Sequence, residues 1–161
     1  MTTEQNLKNP VEPKDGITVN IINAENKKSM AIEKGSTADF AKLVQEQRDD
    51  TKLCQQFRLS LDKSAGTTAW YISPRHALAK VLDVHDGSTV EGAPIIQYSK
   101  HTAANQKWRI INDDGGYILE NVGSELVLQP ENGSSAFGIP IVQMKNNGKK
   151  YQKWILNGTS P

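Results

Sequence analysis

The chain has 161 residues, which fits one domain and is enough to bury roughly 70% of the surface that the unfolded chain exposes. Its 19 Lys and Arg residues nearly balance its 18 Asp and Glu residues, and the net charge of +1 argues against a nucleic-acid-binding protein, which needs a clustered basic excess. No apolar stretch approaches the ~20 residues that span a bilayer, so we expect no membrane insertion.

Residues 1–15 predict a flexible N-terminal lead-in to a single domain at residues 16–161. The lead-in is polar, holds Pro10 and Pro13, and lacks the apolar region of a secretory signal. Cys54 is the one cysteine of the chain, so no intrachain disulfide can form. Both features favour a cytoplasmic protein, or one that is released without a signal peptide.

Short apolar runs separated by clusters of Gly and Asn predict strands along the rest of the chain. Asp114-Gly115-Gly116 and Asn146-Asn147-Gly148 are two of the predicted hairpin turns. The twelve predicted strands cover residues 17–22, 29–33, 42–46, 55–60, 69–73, 80–84, 94–98, 106–111, 116–120, 125–128, 140–144 and 152–156. Many short strands with regular turn signals indicate an all-β barrel or sandwich.

Residues 39–50 give two conflicting signals. Phe40, Leu43 and Val44 lie at helical spacing among good helix formers, which taken alone predicts a helix. An internal repeat aligns the middle of this segment with strands elsewhere in the chain, and tertiary context often overrides local propensity. We therefore expect a strand at residues 42–46.

One short motif occurs three times. It consists of a Gln, a polar residue and a large aromatic, and the copies are Gln55-Gln56-Phe57, Gln106-Lys107-Trp108 and Gln152-Lys153-Trp154. Gly92 and Gly138 each lie fourteen residues before the Gln of their copy, and the same count back from Gln55 reaches Ala41. A spacing of roughly 50 residues indicates one supersecondary unit used three times.

The middle repeat carries a fuller pattern. It reads Leu82-Asp83-Val84, Gly87-Ser88-Thr89, Gly92-Ala93-Pro94, Tyr98 and Asn105-Gln106-Lys107-Trp108. This order resembles that of the ricin B-type lectin family, whose fold is the β-trefoil. The resemblance extends over most of the chain and implies an all-β fold of twelve short strands in three pseudo-symmetric repeats. These repeats fall at about residues 16–60, 68–111 and 116–157.

The recurring Gln and aromatic residues are predicted to be structural first. In a β-trefoil the aromatic would pack at the base of the barrel, where the ring N–H of Trp108 and of Trp154 needs a partner. Phe57 fills the same volume without an N–H, so we expect the first repeat to pack differently. The Gln side chain can donate and accept, and can tie backbone groups that a tight turn leaves unpaired.

Sugar binding needs a further set of groups. A carboxylate accepts two hydroxyl protons in charge-assisted bonds, an aromatic ring covers the C–H face of a pyranose, and an Asn orients one hydroxyl. The resemblance implies that each active repeat uses such an Asp, aromatic and Asn. The middle repeat has all three, as Asp83, Tyr98 and Asn105.

The other two repeats are predicted to be inactive as sugar sites of this type, because neither has a carboxylate at the position matched to Asp83. The matching positions are Ala31, Gln47 and Cys54 in the first repeat, and Val127, Met144 and Tyr151 in the third. Gln106, His85 and His101 lie near the trio in sequence and complete the predicted carbohydrate-binding set.

The trio also admits a purely structural interpretation, in which Asp83 accepts backbone N–H groups from the turn at Asp86-Gly87 and Tyr98 is an ordinary strand aromatic. The leading hypothesis is a soluble lectin with one site, and the resemblance implies galactose or N-acetylgalactosamine as its target class. The alternative is a β-trefoil protease inhibitor that acts through surface loops, for which the trio would be dispensable.

The sequence contains no nucleophile with a paired base and no phosphate-binding loop, and its His, Cys, Asp and Glu residues do not follow a spacing typical of metal ligands. We therefore expect that the protein is not an enzyme and has no cofactor or metal. The expected partners are glycans or glycoconjugates of the galactose or N-acetylgalactosamine type, with a homodimer left open. Trefoil lectins of this size, without signal peptide or disulfides, resemble fungal defence lectins or bacterial toxin-associated modules.

Overall fold

The computed structural model describes residues 9–64, 66 and 68–159, and over these residues it has twelve strands. They are β1 (Thr18–Asn23), β2 (Ser29–Ile32), β3 (Leu43–Glu46), β4 (Phe57–Asp62), β5 (Ala69–Pro74), β6 (Lys80–Val84), β7 (Ile95–Ser99), β8 (Trp108–Asp113), β9 (Gly116–Asn121), β10 (Val127–Pro130), β11 (Ile139–Met144) and β12 (Trp154–Gly158). Single 3-10 turns occur at Glu33–Gly35, Leu53–Gln55, Arg75–Ala77, His85–Gly87, Ala104–Gln106, Glu131–Gly133 and Lys150–Gln152. Within the described ranges, no helix is long and apolar enough to cross a membrane.

Six strands form a closed antiparallel barrel. β1 pairs with β4 and β12, β5 pairs with β4 and β8, and β9 pairs with β8 and β12. The circle of pairings therefore returns to the strand on which it began. Each repeat supplies its first and fourth strands to this barrel.

The second and third strands of each repeat form hairpins that meet at one end of the barrel. These hairpins are β2–β3, β6–β7 and β10–β11. β3 pairs with β11, while isolated bridges join Lys42 to Ile96 and Pro94 to Val142. Each hairpin thus contacts the other two. This arrangement confirms the predicted all-β fold and the β-trefoil with three pseudo-symmetric repeats.

Three fully buried glutamines join the hairpins side by side. Gln97 of β7 donates from its side-chain nitrogen to the main-chain oxygens of Ser36 at 2.8 Å and Ala38 at 2.7 Å, both in the first repeat. The two equivalent sets are Gln143 with Ser88 and Val90 at 3.0 Å each, and Gln45 with Ser134 at 2.9 Å and Ala136 at 3.1 Å. Each repeat therefore holds a loop of the repeat before it. The first repeat holds a loop of the third, which completes the circle.

The recurring aromatics fill the barrel core as predicted. Phe57, Trp108 and Trp154 are fully buried. The ring N–H of Trp108 donates to the Leu82 oxygen and that of Trp154 to the Leu128 oxygen, each at 3.1 Å. In the first repeat the equivalent main-chain oxygen, on Met30, accepts the Ser29 hydroxyl at 3.1 Å instead, which accounts for a phenylalanine without an N–H.

The recurring glutamines tie the loop after each third strand, which confirms their predicted structural role. In every repeat the side-chain oxygen accepts a main-chain N–H and the side-chain nitrogen donates to a main-chain carbonyl. The partners are Asp49 and Gln47 for Gln55, His101 and Ser99 for Gln106, and Asn147 and Lys145 for Gln152, at 2.7–3.0 Å.

The segment with conflicting signals is a strand, β3, as the repeat predicted. The prediction that Val127 is the third-repeat counterpart of Asp83 was wrong. Leu128 accepts the Trp154 ring N–H as Leu82 accepts that of Trp108, so the counterpart of Asp83 is Gln129 and not Val127. The reason is that β10 begins at Val127, two residues later than predicted.

A second register error lies in the first repeat. Gln45 pairs with Met30 as Gln97 pairs with Leu82, so the counterpart of Tyr98 is Glu46 and not Gln47. Gln45 lies ten residues before Gln55, whereas Gln97 and Gln143 lie nine residues before their motif glutamines, and a count back from Gln55 therefore slips by one position.

Part of the predicted lead-in lies against the barrel. The N–H of Val11 donates to the Leu156 oxygen at 2.9 Å, and Pro10 forms a bridge with Asn157 of β12. Val11 also packs against the hydrophobic core. Residues 1–8 lie outside the described residues, so the prediction for that part of the lead-in stays a prediction.

The Trp108 core contact can be tested with two substitutions. Trp108→Ala should lower the free energy of unfolding by about 3–5 kcal/mol because it leaves a cavity. Trp108→Phe reproduces the aromatic of the first repeat but leaves the Leu82 oxygen unpaired, for a loss of about 1–3 kcal/mol. Urea unfolding followed by circular dichroism measures both losses. If the two losses were equal, the volume of the ring would contribute nothing beyond its hydrogen bond, which would contradict this assignment.

Candidate functional site

A pocket of about 360 Å³ opens on the middle repeat, between β6, β7 and the turn that precedes Trp108. Ligand pockets for small molecules are typically about 300–1,000 Å³, so the size fits a small ligand. The lining residues are Phe40, Asp83, His85, Asp86, Gly87, Ile96, Tyr98, His101, Ala103 and Asn105. Five of the six predicted site residues line this pocket, and Gln106 lies buried beneath it, in contact with Asp83.

Asp83 forms the floor of the pocket and is 2% exposed. Its Oδ1 accepts from the Asn105 side-chain amide at 3.1 Å, and its Oδ2 accepts from the Gln106 side-chain amide at 2.9 Å. The same Asn105 nitrogen donates to the Val84 oxygen at 3.1 Å. The hydrogen bonds of Asp83 thus come from two side-chain amides, whereas the structural interpretation expected backbone N–H groups of the Asp86-Gly87 turn.

The Asp83 carboxylate is held in an unfavourable environment. Burial raises the pKa of Asp83 above its ordinary value, although the Gln106 hydrogen bond and the nearby His101 and His85 rings partly oppose this effect. A carboxylate has about four lone-pair sites, and two of them are occupied by the amide donors. Two acceptor sites are therefore left for hydroxyl donors of a ligand.

His101 presents an N–H toward Asp83. Its Nδ1 accepts the backbone N–H of Ala103 at 3.1 Å, so the neutral ring carries its proton on Nε2. That Nε2 lies 3.7 Å from Asp83 Oδ2, and the ring edge faces Tyr98 at 6.2 Å between centroids. The half-exposed His85 lies beside Asp86. Both histidines line the pocket, and their predicted contact with a ligand stays a prediction.

The sequence did not predict Phe40 as part of this pocket. Its ring lies 5.2 Å from that of Tyr98 and 5.7 Å from that of His85, between centroids. Phe40 belongs to the first repeat, and its φ of +72° occupies a position where the other repeats have Gly92 and Gly138. The left-handed region costs a non-glycine residue about 1–2 kcal/mol. Counting back from Gln55 reaches Ala41, so the one-residue slip in the first repeat hid a large aromatic at a glycine position of the repeat.

The corresponding regions of the other two repeats differ in chemistry. A pocket of about 340 Å³ exists in the first repeat, but Ala31 stands where Asp83 stands in the middle one. In the third repeat the Tyr151 ring lies over Gly133, where a Cβ would come within 2.8 Å of the ring; the nearest such contact at Gly87 is 4.0 Å. Tyr151 thus takes up space that is open in the middle repeat.

The first-repeat pocket also contains Cys54, whose thiol pKa is raised by burial. A raised pKa disfavours the reactive thiolate. Across residues 9–64, 66 and 68–159, no group of three or more His, Cys, Asp or Glu side chains is placed to hold a metal ion.

Comparison with known proteins identifies the family. The sequence profile described as ricin-type beta-trefoil lectin domain-like matches residues 6–98 and 104–161, which is most of the chain. The chain belongs to this family. No protein of curated function matches the sequence.

Three solved structures are similar to the chain. The designed threefold-symmetric protein ThreeFoil is 33% identical with a TM-score of 0.80, over 87% of this chain and 97% of ThreeFoil. An exo-beta-1,3-galactanase from Clostridium thermocellum is 26% identical with a TM-score of 0.82, over 92% of this chain, which spans 31% of that enzyme. The C-half of an earthworm R-type lectin, in complex with GalNAc, is 16% identical with a TM-score of 0.69, over 88% of this chain and 98% of that one; this likeness concerns the fold alone.

The raised pKa of Asp83 predicts how pH acts on stability. The folded state holds this proton more tightly than the unfolded state, so the contribution is fully present below the ordinary value of 3.8 and is lost as pH rises through the folded pKa. The free energy of unfolding of wild type, minus that of Asp83→Asn, should therefore fall as pH rises across this window. Urea unfolding at a series of pH values measures the difference, and a difference that does not change with pH would contradict the assignment.

Proposed function

We propose that this protein is a lectin that binds a terminal galactose or N-acetylgalactosamine residue in the pocket of its middle repeat. The observation that carries this proposal is the buried Asp83 carboxylate, which two side-chain amides hold at the floor of an open pocket. Membership of the ricin-type lectin-like family supports carbohydrate binding as the activity. The proposed role is binding without catalysis.

In the proposed complex, Asp83 accepts protons from two neighbouring sugar hydroxyls. Charge-assisted bonds of this kind are about twice as strong as neutral ones. Both protons of the Asn105 amide nitrogen are directed to Asp83 and Val84, so the Asn105 oxygen is the group that accepts from a third hydroxyl. The His101 Nε2–H, aimed into the site, is the available donor to a ligand oxygen.

The apolar part of the sugar would lie against Tyr98. This ring is half-buried on β7, whose pairing with β6 places Tyr98 two positions along the hairpin from the Asp83 pair. Ile96, opposite Asp83 in the same hairpin, adds an apolar contact at the pocket wall. A polar floor beside an aromatic wall matches a pyranose, which has hydroxyls on one side and a C–H face on the other.

The sugar class rests on the family resemblance, and two similar structures support it. The earthworm lectin half was solved with GalNAc, and the C. thermocellum enzyme is a galactanase. We extend this class to the present chain as part of the proposal. A cytoplasmic location and a defence role remain proposals of the same standing.

The decisive substitution is Asp83→Ala. It removes an acceptor of two sugar hydroxyls, and since each hydrogen bond to a charged group contributes about 1.5–3 kcal/mol, affinity should fall by at least about tenfold. Calorimetric titration of galactose and N-acetylgalactosamine measures the loss, and circular dichroism checks that the variant is folded. The matched control is Gln129→Ala, which changes the counterpart position in the third repeat and should leave affinity unchanged.

The alternative function, protease inhibition, predicts that Asp83→Ala leaves activity unchanged. A protease inhibitor that acts through surface loops would not depend on Asp83, so Asp83→Ala would keep its activity in assays with a cysteine and a serine protease. A folded Asp83→Ala protein that still binds its glycan like wild type would sink the proposed site and move the inhibitor ahead.

The comparison of the three repeats predicts one sugar site per chain. Titration with a monosaccharide should give a stoichiometry near one and a dissociation constant in the roughly millimolar range, about 4 kcal/mol of binding free energy. A monomer with one site cannot cross-link cells, so agglutination would require self-association. Strong agglutination by a protein that light scattering shows to be monomeric would reveal a second site and contradict this valence.

A further inference from the structure

We propose that Phe40, a residue of the first repeat, is a binding residue of the middle-repeat site and contacts the sugar unit next to the terminal one. This inference rests on the proposed function, because it assigns a second contact to the same glycan. The ligand class is accordingly a disaccharide, or longer glycan, that ends in galactose or N-acetylgalactosamine.

The Phe40 ring lies at the outer end of the pocket. Phe40 lines the pocket with Asp83, and its ring lies against both Tyr98 and His85. Yet Phe40 is 57% exposed, whereas Asp83 is 2% exposed. The two residues therefore stand at the outer and inner ends of one pocket. A sugar held by Asp83 at the floor leaves the Phe40 ring for whatever extends outward from it.

The backbone of Phe40 has a conformation that glycine adopts in the other two repeats. The N–H of Phe40 donates to the Gln97 oxygen at 3.0 Å, and Gly92 and Gly138 make the same bond to Gln143 at 2.8 Å and Gln45 at 2.7 Å. Glycine thus makes this connection in two repeats at φ +88° and +76°, where it meets no steric penalty. Phe40 makes it at φ +72° with a bulky side chain that core packing does not require. Phe40 is the aromatic residue among the six non-glycine residues with positive φ in the described ranges, and strain at a bulky residue is found chiefly at functional sites.

The loop that carries the ring is fixed to the middle repeat. The Asp39 carboxylate accepts from the Ser99 N–H at 3.0 Å and pairs with Lys80 at 2.7 Å. Ser99 and Lys80 lie in β7 and β6, the two strands of the site hairpin. The ring of the next residue is therefore held beside the pocket before a ligand arrives, and little side-chain ordering opposes binding.

Two variants of Phe40 separate binding from architecture. Phe40→Gly restores the glycine of the other repeats, and Phe40→Ala removes the ring while it keeps a Cβ in the left-handed region. Both should weaken binding of a galactose-terminated disaccharide by about tenfold, which is 1.4 kcal/mol. Phe40→Gly should have a higher thermal unfolding midpoint than Phe40→Ala, because Gly alone relieves the strain. Equal affinity losses with unequal stability are the pattern that a merely structural role would not produce.

Phe137→Ala is the matched control. Phe137 is 60% exposed, lies in the corresponding loop of the third repeat and lines the first-repeat pocket, where Ala31 stands in place of Asp83. Its removal should leave disaccharide affinity unchanged. The free monosaccharide provides the second comparison, since its binding to either Phe40 variant should change by less than that of the disaccharide.

The outcomes are distinct. If the wild-type protein binds no galactose-type glycan, the proposed function itself is wrong. If wild type binds and both Phe40 variants bind the disaccharide equally well, the proposed function stands and the inference about Phe40 fails. An equal loss for monosaccharide and disaccharide would place Phe40 on the terminal sugar and overturn the assignment to the next unit.

Discussion

The hydrogen bonds of Gln45, Gln97 and Gln143 are the contacts on which the rest of the structure depends. Each fully buried amide donates to two main-chain carbonyls in a loop of the preceding repeat, and a buried amide left without acceptors costs about 1–3 kcal/mol. Because the donors and acceptors lie in different repeats, these contacts join each repeat to its neighbour. Gln97 in particular holds the segment that leads to Phe40, so the circle that closes the fold also brings a first-repeat side chain to the middle-repeat pocket.

The second set of glutamines shows where stability and function diverge. Gln55, Gln106 and Gln152 make the same two loop contacts, but a third contact differs between repeats. Gln152 donates to the neutral Gln129 amide at 2.8 Å, whereas Gln106 donates to the Asp83 carboxylate at 2.9 Å. The neutral pair satisfies itself. Burial of the Asp83 carboxylate raises its pKa, so its charged form leaves the folded state less stable at neutral pH than burial of a neutral pair would. Under the proposed function, sugar hydroxyls would donate to the acceptor sites that the two amides leave open.

The sequence was sufficient for the fold and for most of the residues that line the candidate pocket, because both are encoded at fixed distances from the Gln-x-aromatic motif. Asp83, Tyr98 and Asn105 meet in one pocket since β6, β7 and the motif turn follow each other within one repeat. Errors arose where a distance varied, as in the longer loop that moved the counterpart of Tyr98 to Glu46. Phe40 escaped prediction because it reaches the pocket from another repeat, and a local pattern does not encode contacts made across the threefold axis.

The contacts that hold the fold and the side chains that line the candidate site are different, so the same position of each repeat can differ in chemistry. The two recurring tryptophans and the six recurring glutamines all donate to main-chain carbonyls. These main-chain contacts do not involve the side chains of Ala31, Asp83 or Gln129, so one strand position can hold any of the three on the same backbone. In the third repeat the Tyr151 ring occupies the space itself. The three Gln-x-aromatic motifs therefore report the number of repeats in the fold, whereas the proposed number of sugar sites rests on the residues at the strand position of Asp83.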